Sequence, residues 1–207
     1  MKVLMINGSP HANGTTARAL AEMEKIFAEN GVETEVVHAG NKVIRGCAGC
    51  YQCRKLGKCV FDDDLVNETV VKLEQADGFV IASPVYYASV NGTMVSFLDR
   101  LMFSSGTVDK TMKVAAAVAV ARRAGTTATI DQLNKYITYG GFAVATSQYW
   151  NLAHGTNGEE EEQDIEGLQT MRTLARNMTF LMQSIALGKE KYGLPEKEER
   201  IGTNFIR

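Results

Sequence analysis

The sequence has no surplus of positive charge: its 207 residues carry 22 Lys plus Arg against 24 Asp plus Glu, a net charge of −2. Nucleic-acid binding needs a basic face, so this balance argues against it. No apolar run reaches the roughly 18 to 20 residues that would span a bilayer, which argues against membrane insertion. The opening MKVLMINGSP has one Lys and a short apolar run, then breaks into Asn-Gly-Ser-Pro with no small-residue cleavage site. It reads as a buried strand and not as a signal peptide, and the expected location is cytoplasmic. Internal repeats, low-complexity tracts and linkers are also missing. One domain is therefore expected over residues 1–190, followed by a polar tail over 191–207. Cysteine is absent everywhere except in one stretch, which holds Cys47, Cys50, Cys53 and Cys59. A disulfide framework would tie distant segments together; this is a local cage instead.

What is present is a core and an alternating pattern. Apolar residues make up 45% of the chain, enough for a buried interior. Short apolar runs at 2–7, 33–38, 78–83, 113–121 and 142–148 read as strands, the fourth nearly all Ala and Val as suits a central strand. Stretches with apolar residues at helical spacing read as helices near 15–30, 63–75, 92–103, 126–139 and 161–187. In the last of these, Met171, Met178 and Met182 read as core or interface. The acidic run 159–162 reads as capping or solvating its start. Strands and helices in strict alternation favour an α/β fold with an open, doubly wound sheet. Ligands on such sheets sit beyond the carboxyl ends of the strands, so the loops after strands one, three and four are the ones to examine.

The loop after strand one runs from Asn7 to Thr16 and leads a buried strand into a helix N-terminus. Free backbone N–H groups and the helix dipole there favour an anion. Ser9, Thr15 and Thr16 add hydroxyls, and Gly14 permits close approach. The Gly-Lys-Ser/Thr ending of a triphosphate loop is missing, as is G-x-G-x-x-G. A capped helix start, with Thr15 or Ser9 as the cap, is the alternative. After strand three, Pro84, Val85 and Tyr86 can wall a flat heteroaromatic ring, with Tyr87 and Ser89 alongside, and Asn91-Gly92 turns the chain into the next helix. A turn whose tyrosines cap the core is the alternative here. After strand four, Arg122 or Arg123 can meet the edge of a bound ligand or a phosphate, or else be solvated.

The string G-S-P-x-x-x-G-T-T after the first strand resembles the phosphate loop of the flavodoxin-like NAD(P)H-dependent FMN reductase family. The resemblance continues through S-P-V-Y-Y-A-S-V-N-G-T-M and F-L-D-R, covering about residues 1–105, and more loosely beyond. It implies a flavodoxin-like five-stranded parallel sheet in the order 2-1-3-4-5 with helices on both faces. It implies FMN as cofactor, with Ser9, His11, Asn13, Gly14, Thr15 and Thr16 around its phosphate. The isoalloxazine would lie against Pro84, Val85, Tyr86, Tyr87, Ser89, Asn91 and Gly92, with Arg122 and Gly125 at the third loop. Where the family often has Gly-Gly, this chain has Ala124-Gly125. Asp99 and Arg100 match the F-L-D-R string and read as structural, holding a helix or subunit contact. A homodimer or homotetramer is implied too, because a neighbour often completes an open flavin site.

Thiolates repeating every three residues at Cys47, Cys50 and Cys53, with Cys59 nearby, can converge on one 4Fe-4S cluster. Structural zinc usually pairs two C-x2-C knuckles across a longer spacer, so the compact spacing favours the cluster over zinc. Cluster-free thiols or a disulfide stay open. The stretch also resembles the iron–sulfur flavoprotein branch of the same family. His38 and His154 read as surface or core histidines, and Tyr149 and Trp150 as packing residues that can also cover a flavin. The expected function is an FMN-dependent oxidoreductase that moves electrons from NAD(P)H or a reduced protein to a quinone, flavin or protein acceptor. An electron carrier without a substrate site and a zinc-stabilised or regulatory module on the same fold are the rivals.

Overall fold

The computed structural model describes residues 1–199, 201–203 and 205. The elements are β1 (Lys2–Asn7), α1 (Thr15–Glu29), β2 (Glu33–His38), α2 (Cys53–Leu56), α3 (Val66–Gln75), β3 (Gly78–Tyr86) and β4 (Ser89–Val90). After them come α4 (Gly92–Ser104), β5 (Val114–Ala121), α5 (Thr126–Tyr139), β6 (Ala143–Val144), β7 (Leu152–His154), α6 (Gly158–Glu161) and α7 (Ile165–Tyr192). The sheet runs β2-β1-β3-β5-β6, parallel throughout. Strand β7 adds to β5 in parallel, and β4 folds back on β3 antiparallel. The expected five positions in the order 2-1-3-4-5 are all there, but the sheet has seven strands.

Each face of the sheet buries its own layer, as strand alternation dictates. Leu4, Ile6, Phe79 and Ile81 pack with Phe97, Leu98 and Leu133 on the side of α3, α4 and α5. Val3, Met5, Val80 and Ala82 pack with Leu20, Met23, Phe27, Met171 and Met178 on the side of α1 and α7. Strand β5 is buried along its whole length, and its Ala and Val side chains leave room for helices on both sides. Across the second layer, Glu22 of α1 accepts from Arg18 at 3.0 Å and from Arg172 of α7 at 2.5 Å. Burial raises the Glu22 carboxyl, but the two guanidinium groups outweigh that and hold it below its ordinary value.

Three expectations need correcting. Pro84 does not stop the third strand: it stays in register with Val120, and the chain continues to Tyr86 before turning back as β4. The last strand is not continuous over 142–148. It pairs with β5 only at 143–144, and the segment that follows bonds to α7 instead. Asn177 donates to the Thr146 carbonyl at 2.7 Å, Ser147 to the Thr170 carbonyl at 2.7 Å, and Thr173 to the Gln148 side chain at 3.0 Å. Pairing with β5 resumes at β7. The final helix is two helices, because Asp164 caps α7 by accepting from the Gly167 N–H at 2.9 Å, and α7 runs on to Tyr192. Of the tail expected at 191–207, Arg200, Asn204, Ile206 and Arg207 lie outside the described residues. No helix among the described residues is long and apolar enough to cross a membrane.

Candidate functional site

The carboxyl ends of β1, β3 and β5 bring three loops together. Their mutual contacts are backbone-close and depend on missing side chains. Gly8 donates its N–H to the Ala82 carbonyl at 2.8 Å, and a Cβ on Gly8 would sit 2.9 Å from that same oxygen. A Cβ on Gly40, just past β2, would sit 2.2 Å from the carbonyl oxygens of Gly8 and Ser9. Gly125 has φ +93°, and its Cβ would lie 2.8 Å from Ala88 Cα and from Val85 Cγ1. Its absent side chain thus seats the third loop on the second.

The first loop is then fixed by polar groups. The Asn7 side chain accepts from the Ser9 N–H at 2.9 Å, and Ser9 Oγ accepts from the His11 N–H at 3.1 Å. His38 Nε2 lies 2.6 Å from the Ser9 carbonyl, and Asn91 Nδ2 donates to the Gly8 carbonyl. Asn91 Oδ1 also accepts from the Met94 N–H at 2.8 Å, so this one buried amide caps α4 and clamps the first loop. Asn7, His38 and Gly40 were missed as site residues. A glycine directly after a strand, opposite a predicted ligand loop, was the one signal available for them.

The start of α1 bears on the capped-helix reading of this loop. Its N-cap is Gly14, with no side chain bonded to the first turn, so neither Thr15 nor Ser9 caps the helix. The N–H groups of that turn point out with their partial positive charge. Thr16 is fully buried, and its Oγ1 has no hydrogen-bond partner. His11 and Asn13 are exposed at the rim. A fourth segment, 155–158, flanks the loop: Gly155 bonds the Ala121 carbonyl at 3.1 Å, and its Cβ would lie 3.0 Å from Thr15 Cγ2. Beside it Glu161 has no solvent contact, and both carboxylate oxygens lack partners. The acidic run was expected to cap or solvate the start of the last helix; Glu161 is buried instead. Burial, with Asp164 adding to it and Arg18 opposing it, pushes this carboxyl up to about 8.

The second loop is a hairpin. Val85 pairs with Val90 and Tyr86 with Ser89, leaving Tyr87 and Ala88 as a two-residue turn, both with positive φ (51° and 57°). Pro84 and Val85 are half-buried, and Tyr86 and Tyr87 face solvent. Ser89 is turned away: its hydroxyl donates to Gln132 at 2.5 Å, and the Val90 N–H reaches the same oxygen at 3.0 Å. Gly92 is exposed at the first turn of α4, and Arg122 and Arg123 are exposed at the rim.

The four cysteines all line a separate pocket with Tyr51, Val60, Phe61, Phe103, Ser104 and Arg100. All four are free thiols, Cys47 and Cys50 exposed and Cys53 and Cys59 half-buried. Left-handed backbone at Gly49, Tyr51 and Gly57 winds the stretch around the pocket. Asn67 of α3 fixes Cys59 by accepting from its N–H at 2.8 Å and donating to its carbonyl at 3.0 Å. Among the described residues, no three His, Cys, Asp or Glu side chains are close enough to hold a single metal ion.

A helix start without a side-chain cap and a tyrosine-bearing hairpin, both at the carboxyl ends of strands in a parallel sheet of order β2-β1-β3-β5-β6, define a flavodoxin-like α/β protein. Residues 1–157 match the model of the NADPH-dependent FMN reductase family, and the chain belongs to that family. It is an FMN-containing oxidoreductase. It is 32% identical to an iron–sulfur flavoprotein of Methanocaldococcus jannaschii, over 89% of this chain and 99% of that one. An iron–sulfur flavoprotein of Methanosarcina thermophila is 27% identical over 92% of this chain and 100% of its own. Among solved structures, a flavodoxin from the domain Archaea aligns with TM-score 0.59 at 15% identity, covering 88% of this chain and 99% of that one.

Proposed function

We propose that the chain carries electrons from NAD(P)H or a reduced protein donor to a quinone, flavin or protein acceptor. FMN would sit at the loop crest and a 4Fe-4S cluster in the cysteine pocket. The observation that carries the flavin position is the orphaned, buried Thr16 hydroxyl beside the uncapped start of α1. A buried hydroxyl without a partner costs about 1–3 kcal/mol, and a phosphate oxygen offers it one. Ser9, Gly14 and Thr15 complete the cradle, with His11 and Asn13 at its edge. Pro84, Val85, Tyr86 and Tyr87 form the wall for the ring, and Arg122 stands where a nicotinamide nucleotide would approach. Asn91, Ser89 and Gly125 serve this site as struts, since their polar contacts go to protein, and Gly92 opens the helix that follows.

The cysteine pocket fits a cluster better than zinc. A mononuclear ion draws all its ligands to one point, whereas a cluster takes each thiolate on a different iron and so needs them further apart. Cys47, Cys50, Cys53 and Cys59 line one pocket, and their compact spacing in the sequence suits the second demand better than the paired knuckles of structural zinc. The name carried by both relatives above points the same way. When bound, FMN supplies the exchange between two-electron and one-electron chemistry, and a cluster supplies a one-electron relay. The chain's own part is to hold, tune and partly expose them. Tyr87, Tyr149 and Trp150 are exposed, and a second copy covering them would give a homodimer or homotetramer. Four cysteines confined to one stretch, with no distant segment to tie, support a reducing, cytoplasmic location.

The test is anaerobic purification followed by a visible spectrum and iron and sulfide analysis. Flavin bands with about four irons per chain are expected, together with NAD(P)H oxidation stimulated by a quinone. Flavin without iron would remove the cluster. Loss of stimulated oxidation, with electron exchange retained toward redox proteins, would make the chain a carrier. A colourless protein that takes up no FMN would overturn the flavin site.

A further inference from the structure

Arg100 is the largest fully buried side chain, at 1% exposure. It was expected to hold a helix or a subunit; it points into the cysteine pocket instead. Nε donates to Cys59 Sγ at 3.3 Å, Nη2 to the Phe61 carbonyl at 3.0 Å and Nη1 to the Arg45 carbonyl at 3.4 Å. Nη1 also pairs with the buried Asp64 carboxylate. Every donor face of the guanidinium is thereby directed at the loop that carries Cys59. Among the described residues the other cysteines have no such partner: Cys53 Sγ faces the Phe103 carbonyl at 3.9 Å, and Cys47 and Cys50 are exposed.

A neutral thiol is a weak acceptor, so a buried cation gains little by aiming an N–H at one. A thiolate accepts well, and charge-assisted bonds are about twice as strong as neutral ones. The geometry therefore suits Cys59 as a metal-bound thiolate. We propose that Arg100 is a positioning residue for the Cys59 corner of the cluster, and that its Nε–H bond and positive charge raise the cluster's reduction potential. This role rests on the cluster proposed above. Adding one electron to the cluster adds one negative charge, which a nearby cation and a hydrogen bond to sulfur stabilise. Asp64 opposes the effect by neutralising part of the Arg100 field. Helix α4 links the two sites: Asn91 at its N-cap holds the phosphate loop, and Arg100 lies about 13 Å further along the axis.

The experiment compares wild type, Arg100→Gln, Arg100→Lys and Asp64→Asn, all purified without oxygen and assayed for iron and sulfide. Each is titrated with a reductant, following the cluster by electron paramagnetic resonance and the flavin by absorbance. Arg100→Gln is expected to shift the one-electron cluster equilibrium roughly tenfold toward the oxidised form, about 59 mV. Arg100→Lys, which keeps charge but loses Nε, is expected to shift it less, in the same direction. Asp64→Asn is expected to shift it the opposite way, with the flavin potential constant in all. A merely structural Arg100 would leave the potential of the loaded protein unchanged, or move Asp64→Asn in the same direction, and either result overturns the role. If Arg100→Gln takes up no iron, the signs of the other two variants decide. Wild type with flavin but no iron overturns the cluster and this role together. Loaded wild type with unshifted variants overturns this role alone.

Discussion

Glu161 binds a proton more tightly in the folded chain than an ordinary glutamate does, and that has a consequence for stability. Its folded value is about 8, against the ordinary 4.5. The stability it contributes is fully present below the lower value and is lost as pH rises through the upper one. Wild type should therefore weaken between these limits, by up to about 1.4 kcal/mol per pH unit. Glu161→Gln should abolish that slope, matching wild type near the acid end and exceeding it by a few kcal/mol at pH 8, as read from urea unfolding at both pH values. A second expectation concerns Gly40, whose Cβ would overlap two loop carbonyls. Gly40→Ala should destabilise the protein by about 3 kcal/mol and reduce FMN affinity more than tenfold, measured by flavin fluorescence quenching. At this scale the sequence was partly legible. Ser9, Gly14, Thr15 and Thr16 mark the proposed phosphate loop in the sequence because their types and spacing are local. His38 and Gly40 do not, because what they hold is set by strands paired across the sheet, whereas the Asn7 side chain acts locally on the Ser9 N–H. The burial of Glu161 was hidden in the same way, since an acidic run looks solvated until a helix covers one member.

Among the elements, the hairpin between β3 and β4 stores backbone strain at the proposed flavin wall. Paired positive φ values fit the two-residue turn that joins twisted antiparallel strands, but Tyr87 and Ala88 are not the residues that adopt them cheaply. Ala88→Gly should relieve about 1 kcal/mol of strain, partly offset by glycine's greater freedom when unfolded, for a net gain of roughly 0.5 kcal/mol. Denaturation midpoints at constant slope would show it. If the strain helps to aim the tyrosines, the same variant should bind FMN less tightly despite being more stable. Regular elements were legible wherever periodicity ran unbroken, as in α1, β1, β2 and α5. The missed hairpin and the split last strand have one cause in common. In both, a short-range signal (Pro84 in one, an apolar run in the other) was overruled by partners distant in sequence: Val120 for the strand that runs on into the hairpin, Thr170 and Asn177 for the last strand.

For the molecule as a whole, the cradle proposed at α1 would make flavin a stabilising ligand. A ligand that binds only the folded chain, present at 100 times its dissociation constant, adds about 2.7 kcal/mol. Protein stripped of flavin should unfold at lower urea, and the midpoint should return when FMN is added but not when riboflavin is, because the vitamin lacks the phosphate that Thr16 and the helix start would receive. The architecture was the most legible level of all, since strict alternation of strand and helix leaves few topologies open.

The two borders of the sheet are guarded differently, and together they limit how copies of this chain can meet. An open row of backbone donors and acceptors invites a strand from another molecule, the usual route to aggregation. On one border, Glu35 of β2 is bound by Lys2 at 2.7 Å and by Lys72 at 3.1 Å, which lines the row with held charge. On the other, β6 and β7 are two- and three-residue fragments separated by the stretch bonded to α7. Neither border offers a long, flat template, so a flavin-free chain with strained loops can wait for its cofactor without recruiting neighbours into a fibre.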